Sequence, residues 1–139
     1  MDVILDKVES IKRCMTRINE EYQGIEDNLY DFTKQDSIIL NIQRSCELSI
    51  DLSNLIISKY GFTIPKNSRE SFEILNENGI IDKDLLEIMK KMIGFRNIAI
   101  HNYKILNVSI LKSIIDNNLK DFLLFIESIM KILKSKNAP

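Results

Sequence analysis

An arginine, an asparagine, a histidine and a tyrosine fall within eight positions at Arg96-Asn97-Ile98-Ala99-Ile100-His101-Asn102-Tyr103, and His101 is the only histidine of the 139 residues. Imidazole, with an ordinary pKa of about 6.5, suits proton transfer near neutral pH. Guanidinium is a permanent cation whose planar fork matches phosphate oxygens. Cleaving RNA with its own 2′-hydroxyl takes a base for that proton and an acid for the leaving 5′-oxygen. It also takes a cation or hydrogen-bond donors facing the developing negative charge. His101 fits the base or the acid, with its twin in a second chain, or water, as the other. Arg96 fits the scissile phosphate, and Asn97 could fix the imidazole or donate to phosphate. Tyr103 could orient the phosphate, stack on a base or carry a modification. No metal-ligand cluster, phosphate-cradling glycine loop or nucleophile elbow stands in the sequence, so neither a metal nor a cofactor is expected. Spacing alone is equally met by a histidine hydrogen-bonded at a helix end and an arginine capping carbonyls.

Five residues separate Arg96 from His101, which in an unbroken α-helix places them about 140° apart around the axis. Asn97 and His101, four apart, would share a face. Two geometries bring all three together. Either the helix ends or tightens between Arg96 and His101, or a second chain completes the site across a two-fold axis.

The elements that must hold this segment read as helices. Ile4, Val8, Ile11, Met15, Ile18, Tyr22 and Ile25 form a seam of alternating four- and three-residue steps, predicting a helix from about 2 to 27. A second helix is expected from near Thr33, with Asp36 in its first turn, to Gly61 as its C-terminal stop. Its apolar positions spread over more than one face, which suits a central helix buried on the bundle side and again against a partner. A short helix carrying Phe72, Ile74 and Leu75 follows the connection at Pro65 and closes at Asn78-Gly79. Asp82 is a natural N-cap for the helix that runs into the motif, with Ile81 and Leu86 placed for a hydrophobic staple. Asn107 or Ser109 caps a last long helix that ends near Lys134. Strand-like alternation is missing. The expected fold is therefore all-α: an antiparallel four-helix bundle with an extra short helix, dimeric, in one domain spanning 1–139.

Composition sets bounds on partners. The chain is 45% hydrophobic and 28% charged, as a globular domain is, and its net charge of −1 argues against a broadly basic nucleic-acid coat. Charge is uneven all the same: residues 20–36 are acidic, whereas 88–115 hold Lys90, Lys91, Arg96, Lys104 and Lys112 and no acid. Cys14 and Cys46 lack metal-ligand spacing and read as buried thiols of a reducing compartment. The acidic start MDVILDKVES is not a signal peptide, and no apolar run reaches the roughly 20 residues of a membrane span. A cytoplasmic protein without membrane contact is expected.

Arg-x4-His-x-Tyr, preceded by Met92-Ile93-Gly94-Phe95, resembles the signature of HEPN-domain proteins of the HepT type, toxins of two-gene toxin–antitoxin modules. The likeness extends to residues 41–54, which resemble the family's second helix, and to Pro65 through Phe72 to Leu75 and Gly79-Ile80, which resemble its middle segment. The resemblance implies a metal-independent endoribonuclease acting on RNA as a symmetric homodimer. Arg96 and His101 of both chains would line a shared cleft, supported by Asn97. It further implies a cognate antitoxin, a minimal nucleotidyltransferase called MntA, which blocks the toxin by adding AMP groups to the tyrosine matching Tyr103. On the second helix, Asp51 and Asn54 could support the cleft by bonding Arg96 or His101, or form an ordinary polar face. Arg44 is a solvated or an RNA-facing cation. Two other classes compete with this reading. A non-catalytic HEPN-like partner of a nucleotidyltransferase would be expected to lose the Arg/His pair. A purely structural oligomerisation module leaves the polar cluster unexplained.

Overall fold

The computed structural model describes residues 2–101 and 107–137, and these form six α-helices and one 3₁₀ turn, with no strand among them. Helix α1 spans Asp2–Tyr22, the 3₁₀ turn Glu26–Tyr30, α2 Phe32–Tyr60, α3 Ser68–Glu77, α4 Lys83–His101, α5 Val108–Asn117 and α6 Leu119–Asn137. The four long helices α1, α2, α4 and α6 make the bundle, and α2 touches each of the other three. Lys7 pairs with Asp51, and Cys14 with Ser45, so α1 and α2 run antiparallel. Helix α3 is laid against α2 and α4, and α5 against the 3₁₀ turn and α6.

The seam of α1 is buried as its spacing requires: Ile11 and Ile18 are fully enclosed, and Ile4, Val8, Met15 and Tyr22 nearly so. Its expected last member, Ile25, is exposed, because α1 stops at Tyr22 and not near residue 27. Gln23 and Gly24 take left-handed backbone angles, φ 55° and 69°, which end an α-helix. Helix α2 starts one residue earlier than expected, at Phe32, because Asp31 is its cap: the carboxylate accepts from the Lys34 N–H at 3.0 Å. It ends at Gly61 as anticipated. That residue sits at φ 69°, and the Phe62 N–H turns back to the Ile57 carbonyl at 2.9 Å.

Asp82 accepts from the Leu85 N–H at 2.8 Å and so caps α4, and Asn107 accepts from the Ile110 N–H at 3.0 Å and caps α5. The single last helix expected from the apolar stripe is two helices. The chain breaks at Asn118, whose Nδ2 donates to Asp121 in the first turn of α6 at 3.2 Å. Asparagine offers the backbone local partners that compete with a helical ladder, and Asn117 and Asn118 stand in tandem here.

On α2, Ser45, Ser49 and Ser53 are fully buried. Each hydroxyl donates to the carbonyl four residues back, at 2.8, 2.8 and 2.9 Å. A side chain this small, satisfied on its own helix, lets a neighbouring helix lie close without stranding a polar group. Across the core, Phe72 and Phe125 meet edge to face with centroids 5.8 Å apart, tying α3 to α6. Gly61 has open space where a Cβ would stand, so only backbone strain opposes a side chain there. Gly61→Ala is expected to destabilise the fold by about 1 kcal/mol, read as a lower urea midpoint with an unchanged slope.

Candidate active site

Helix α4 carries the motif, and its packing decides where each side chain goes. Met89, Met92, Ile93, Phe95 and Ala99 are buried. The helix is fixed to α3 by Lys90, whose Nζ lies 3.3 Å from Glu73. The Cys46 thiol of α2 donates to the Met92 carbonyl at 3.4 Å, one turn before Arg96. Burial pushes the Cys46 pKa well above that of an ordinary thiol, and the Arg96 charge nearby opposes this without overcoming it. Burial raises Cys14 as well, against a hydrogen bond with Ser45 and the charges of Arg44 and Arg13. Both cysteines are free and buried, as the sequence suggested.

Arg96 is half-buried beside α2, and its Nε is enclosed without a hydrogen-bond acceptor. A buried guanidinium donor is normally satisfied, so an unmet one marks a place where an anion is welcome. Asn97 and His101 are exposed. The two lie about 40° apart around the helix axis and share its outer face. Ile98 and Ile100 flank them, 36% and 46% exposed, so apolar surface surrounds the polar pair. Gly94 adds no side chain to this face, and nothing stands within 4 Å of where its Cβ would be.

The helix continues without interruption through His101. Of the two geometries open at the sequence level, the one in which the helix ends or tightens before His101 is therefore not the one adopted. Within one chain Arg96 points toward α2 while His101 points outward, about 140° away. Tyr103 lies outside the described residues.

Asp51 and Asn54 meet other partners than the motif: Asp51 accepts from Lys7 of α1 at 3.3 Å, and Asn54 from the Ser71 hydroxyl of α3 at 2.7 Å. The basic run is also less bare than it reads, because acids outside it answer it. Lys90 faces Glu73 and Glu87, and Lys112 faces Asp116 at 2.7 Å. Cys46 is the neighbour of Arg96 that sequence reasoning missed. Its only signal was a place on the apolar stripe of α2, which says nothing of which helix it meets.

Residues 4–129 match the family described as ribonuclease HepT-like. The mRNA nuclease HepT of Shewanella oneidensis is 44% identical over 92% of this chain and 96% of its own length. A solved structure of a tri-AMPylated Shewanella oneidensis HEPN toxin in complex with MNT antitoxin superposes with a TM-score of 0.89 at 43% identity, covering 94% of this chain and 98% of that one. A further solved toxin–antitoxin structure, with AMP-PNP, gives a TM-score of 0.87 at 42% identity, covering 94% and 98%.

The cysteine environments have a direct consequence. The Cys46 thiol should not react with an aromatic disulfide reagent at pH 8 in the native protein and should titrate at once in guanidinium. Its rapid modification in the folded state would show that the α2 surface beside Arg96 opens.

Proposed function

Because the chain belongs to the HepT-like ribonuclease family, we propose that it is the RNA-cleaving toxin of a two-gene module. It acts in the cytoplasm as a two-fold dimer whose cleft holds Arg96 and His101 of both chains. The observation that carries this reading is the unbroken course of α4 through His101. A helix that points Arg96 and His101 in divergent directions assembles a site only when a second copy supplies the missing group, and a two-fold axis supplies both groups twice. The face bearing Asn97, Ile98, Ile100 and His101 has the mixed apolar and polar character of such a contact.

In the cleft one imidazole takes the proton of the 2′-hydroxyl. The 2′-oxygen forms a bond to phosphorus, and the bond from phosphorus to the 5′-oxygen breaks. The second imidazole, or water, delivers a proton to that leaving oxygen. Arg96 holds the non-bridging oxygens as their charge grows, through the terminal nitrogens of its guanidinium. Asn97 stands on the face of His101 and supports the imidazole. The products are a 2′,3′-cyclic phosphate and a 5′-hydroxyl, and no divalent ion takes part. The Shewanella relative's name, mRNA nuclease, makes messenger RNA the first substrate to test.

The complex of the related toxin with an MNT antitoxin, and its AMPylated state, supply the regulatory half of the proposal. A nucleotidyltransferase antitoxin transfers AMP from ATP to the hydroxyl of Tyr103, releasing pyrophosphate. The new phosphodiester adds negative charge and adenosine bulk to the motif, excluding substrate phosphate by repulsion and volume.

His101→Ala should leave the fold intact, since the side chain is exposed, and lower cleavage in EDTA by about 10²–10⁴-fold. Mixing unfolded His101→Ala and Arg96→Ala chains and refolding them together should restore activity that neither variant has alone. Full dependence on magnesium would overturn the mechanism, and absence of rescue would overturn the shared cleft. Incubation with the cognate nucleotidyltransferase and ATP should add mass in AMP steps at Tyr103 and silence cleavage, and Tyr103→Phe should accept none. AMP found on another residue would refute the assignment.

A further inference from the structure

A groove of about 720 Å³ runs between α1 and α2 on the side of α2 turned away from α4. Three arginines line it: Arg13 and Arg17 from α1, and Arg44 from α2. Arg17 is held by Glu20 at 3.6 Å and Glu21 at 3.1 Å. Arg13 and Arg44 are exposed and have no acidic partner among the described residues. Of the two acids in the groove, Asp51 is neutralised by Lys7 at 3.3 Å. Glu47 accepts from Gln43 at 2.9 Å and forms no ion pair among the described residues. Leu40 and Leu48 give the groove an apolar floor. Two unpaired guanidinium groups over a partly apolar floor form a surface for a chain carrying phosphates on one edge and flat bases on the other.

The position of the groove matters as much as its charge. Cys14, in its lining, pairs with Ser45, while the next residue, Cys46, reaches the Met92 carbonyl one turn before Arg96. Groove and Arg96 therefore stand at the same height along α2, on opposite sides of it. Arg44 and Cys46, two positions apart, point about 200° from one another. The separation is about one helix diameter, 10–12 Å. A chain with net charge −1 has no general attraction for a polyanion, so holding one takes a local track of this kind.

We propose that the α1–α2 groove binds the phosphate backbone of single-stranded RNA beyond the cleavage site, with Arg13 and Arg44 as its phosphate contacts and Glu47 as a charge that limits its affinity. This rests on the RNA-cleaving function proposed above. The groove extends the substrate past the cleft, so long RNA is held better than a short oligonucleotide that fills the cleft alone. Arg13 and Arg44 act on substrate capture and not on the bond-breaking step.

The test uses the full chain and a fluorescent, uncleavable 2′-O-methyl RNA of about thirty nucleotides, a length chosen to overreach the groove. The double variant Arg13→Gln/Arg44→Gln should bind it about tenfold more weakly near physiological salt. Two fewer phosphate contacts should reduce the slope of log affinity against log salt by about 1.4. Glu47→Gln should bind more tightly than the parent. With cleavable RNA, the double variant should show a raised KM on the long substrate and an unchanged kcat on a dinucleotide. Arg13→Lys/Arg44→Lys, which keeps the charge, should restore the salt slope and so separates charge from any loss of structure. Unchanged affinity and slope in the double variant would overturn the proposal. So would a loss confined to binding of the nucleotidyltransferase, or a dimer that falls apart in light scattering, since the groove would then serve a protein contact. A parent protein that binds the uncleavable RNA with the expected slope but cleaves nothing would sink the proposed function and leave the groove standing.

Discussion

Twelve of the 29 residues of helix α2 are buried, and the rest of the fold depends on how that enclosure is tolerated. Touched by four other helices and by the 3₁₀ turn, it keeps only a limited exposed face, on which Arg44 and Asp51 stand, and a polar group elsewhere along it needs a partner inside the bundle. Ser45, Ser49 and Ser53 resolve the conflict by returning their hydroxyls to their own backbone. Each is then spent as a polar group and remains only as a small volume. Large apolar residues on one helix and small ones on the next interlock at native density, and this allows α1, with its fully buried Ile11 and Ile18, to lie along α2. Ser71 works between elements, its hydroxyl reaching Asn54 of α2 at 2.7 Å and seating α3.

With α2 fixed, α4 is fixed too, because the Cys46 thiol and the buried face from Met89 to Ala99 set its rotation. That rotation sorts the motif. Arg96 is drawn toward the bundle, where its aliphatic stem is covered and its charge sits in a medium that strengthens electrostatic contacts. His101 is turned out at the last described residue of α4. The two groups differ in how tightly the fold holds them: Arg96 is half-buried against α2, whereas His101 is exposed, a difference that suits the roles proposed for them.

Much of this was legible in the sequence, and the exceptions have physical reasons. The α1 seam as far as Tyr22, the Gly61 stop, the Asp82 cap and Asn107, one of two cap candidates, are local signals decided within a few residues. The end of α1 was not legible, because Gln23 takes a left-handed conformation that its residue type does not announce. The break at Asn118 was masked by an apolar stripe that keeps its period across the interruption. The burial of Ser45, Ser49 and Ser53 was not legible either, since nothing local tells a satisfied hydroxyl from a solvated one. For the site, the five-residue spacing of Arg96 and His101 stated the problem correctly, but only tertiary structure tells whether the helix continues. Asp51 and Asn54, read as cleft supports or as an ordinary polar face, are engaged by Lys7 and Ser71, which sequence separation of 44 and 17 residues conceals.

The outward position of His101 also has a genetic meaning. Because the imidazole contributes nothing to the core, its loss would leave a chain that folds and accumulates. Under the catalytic role proposed for His101, selection against the activity could therefore work on a single codon without burdening the cell with misfolded protein. Under the proposed dimer, the silenced allele would then not be a null in the presence of an active one: its product would enter mixed assemblies and dilute the working chains.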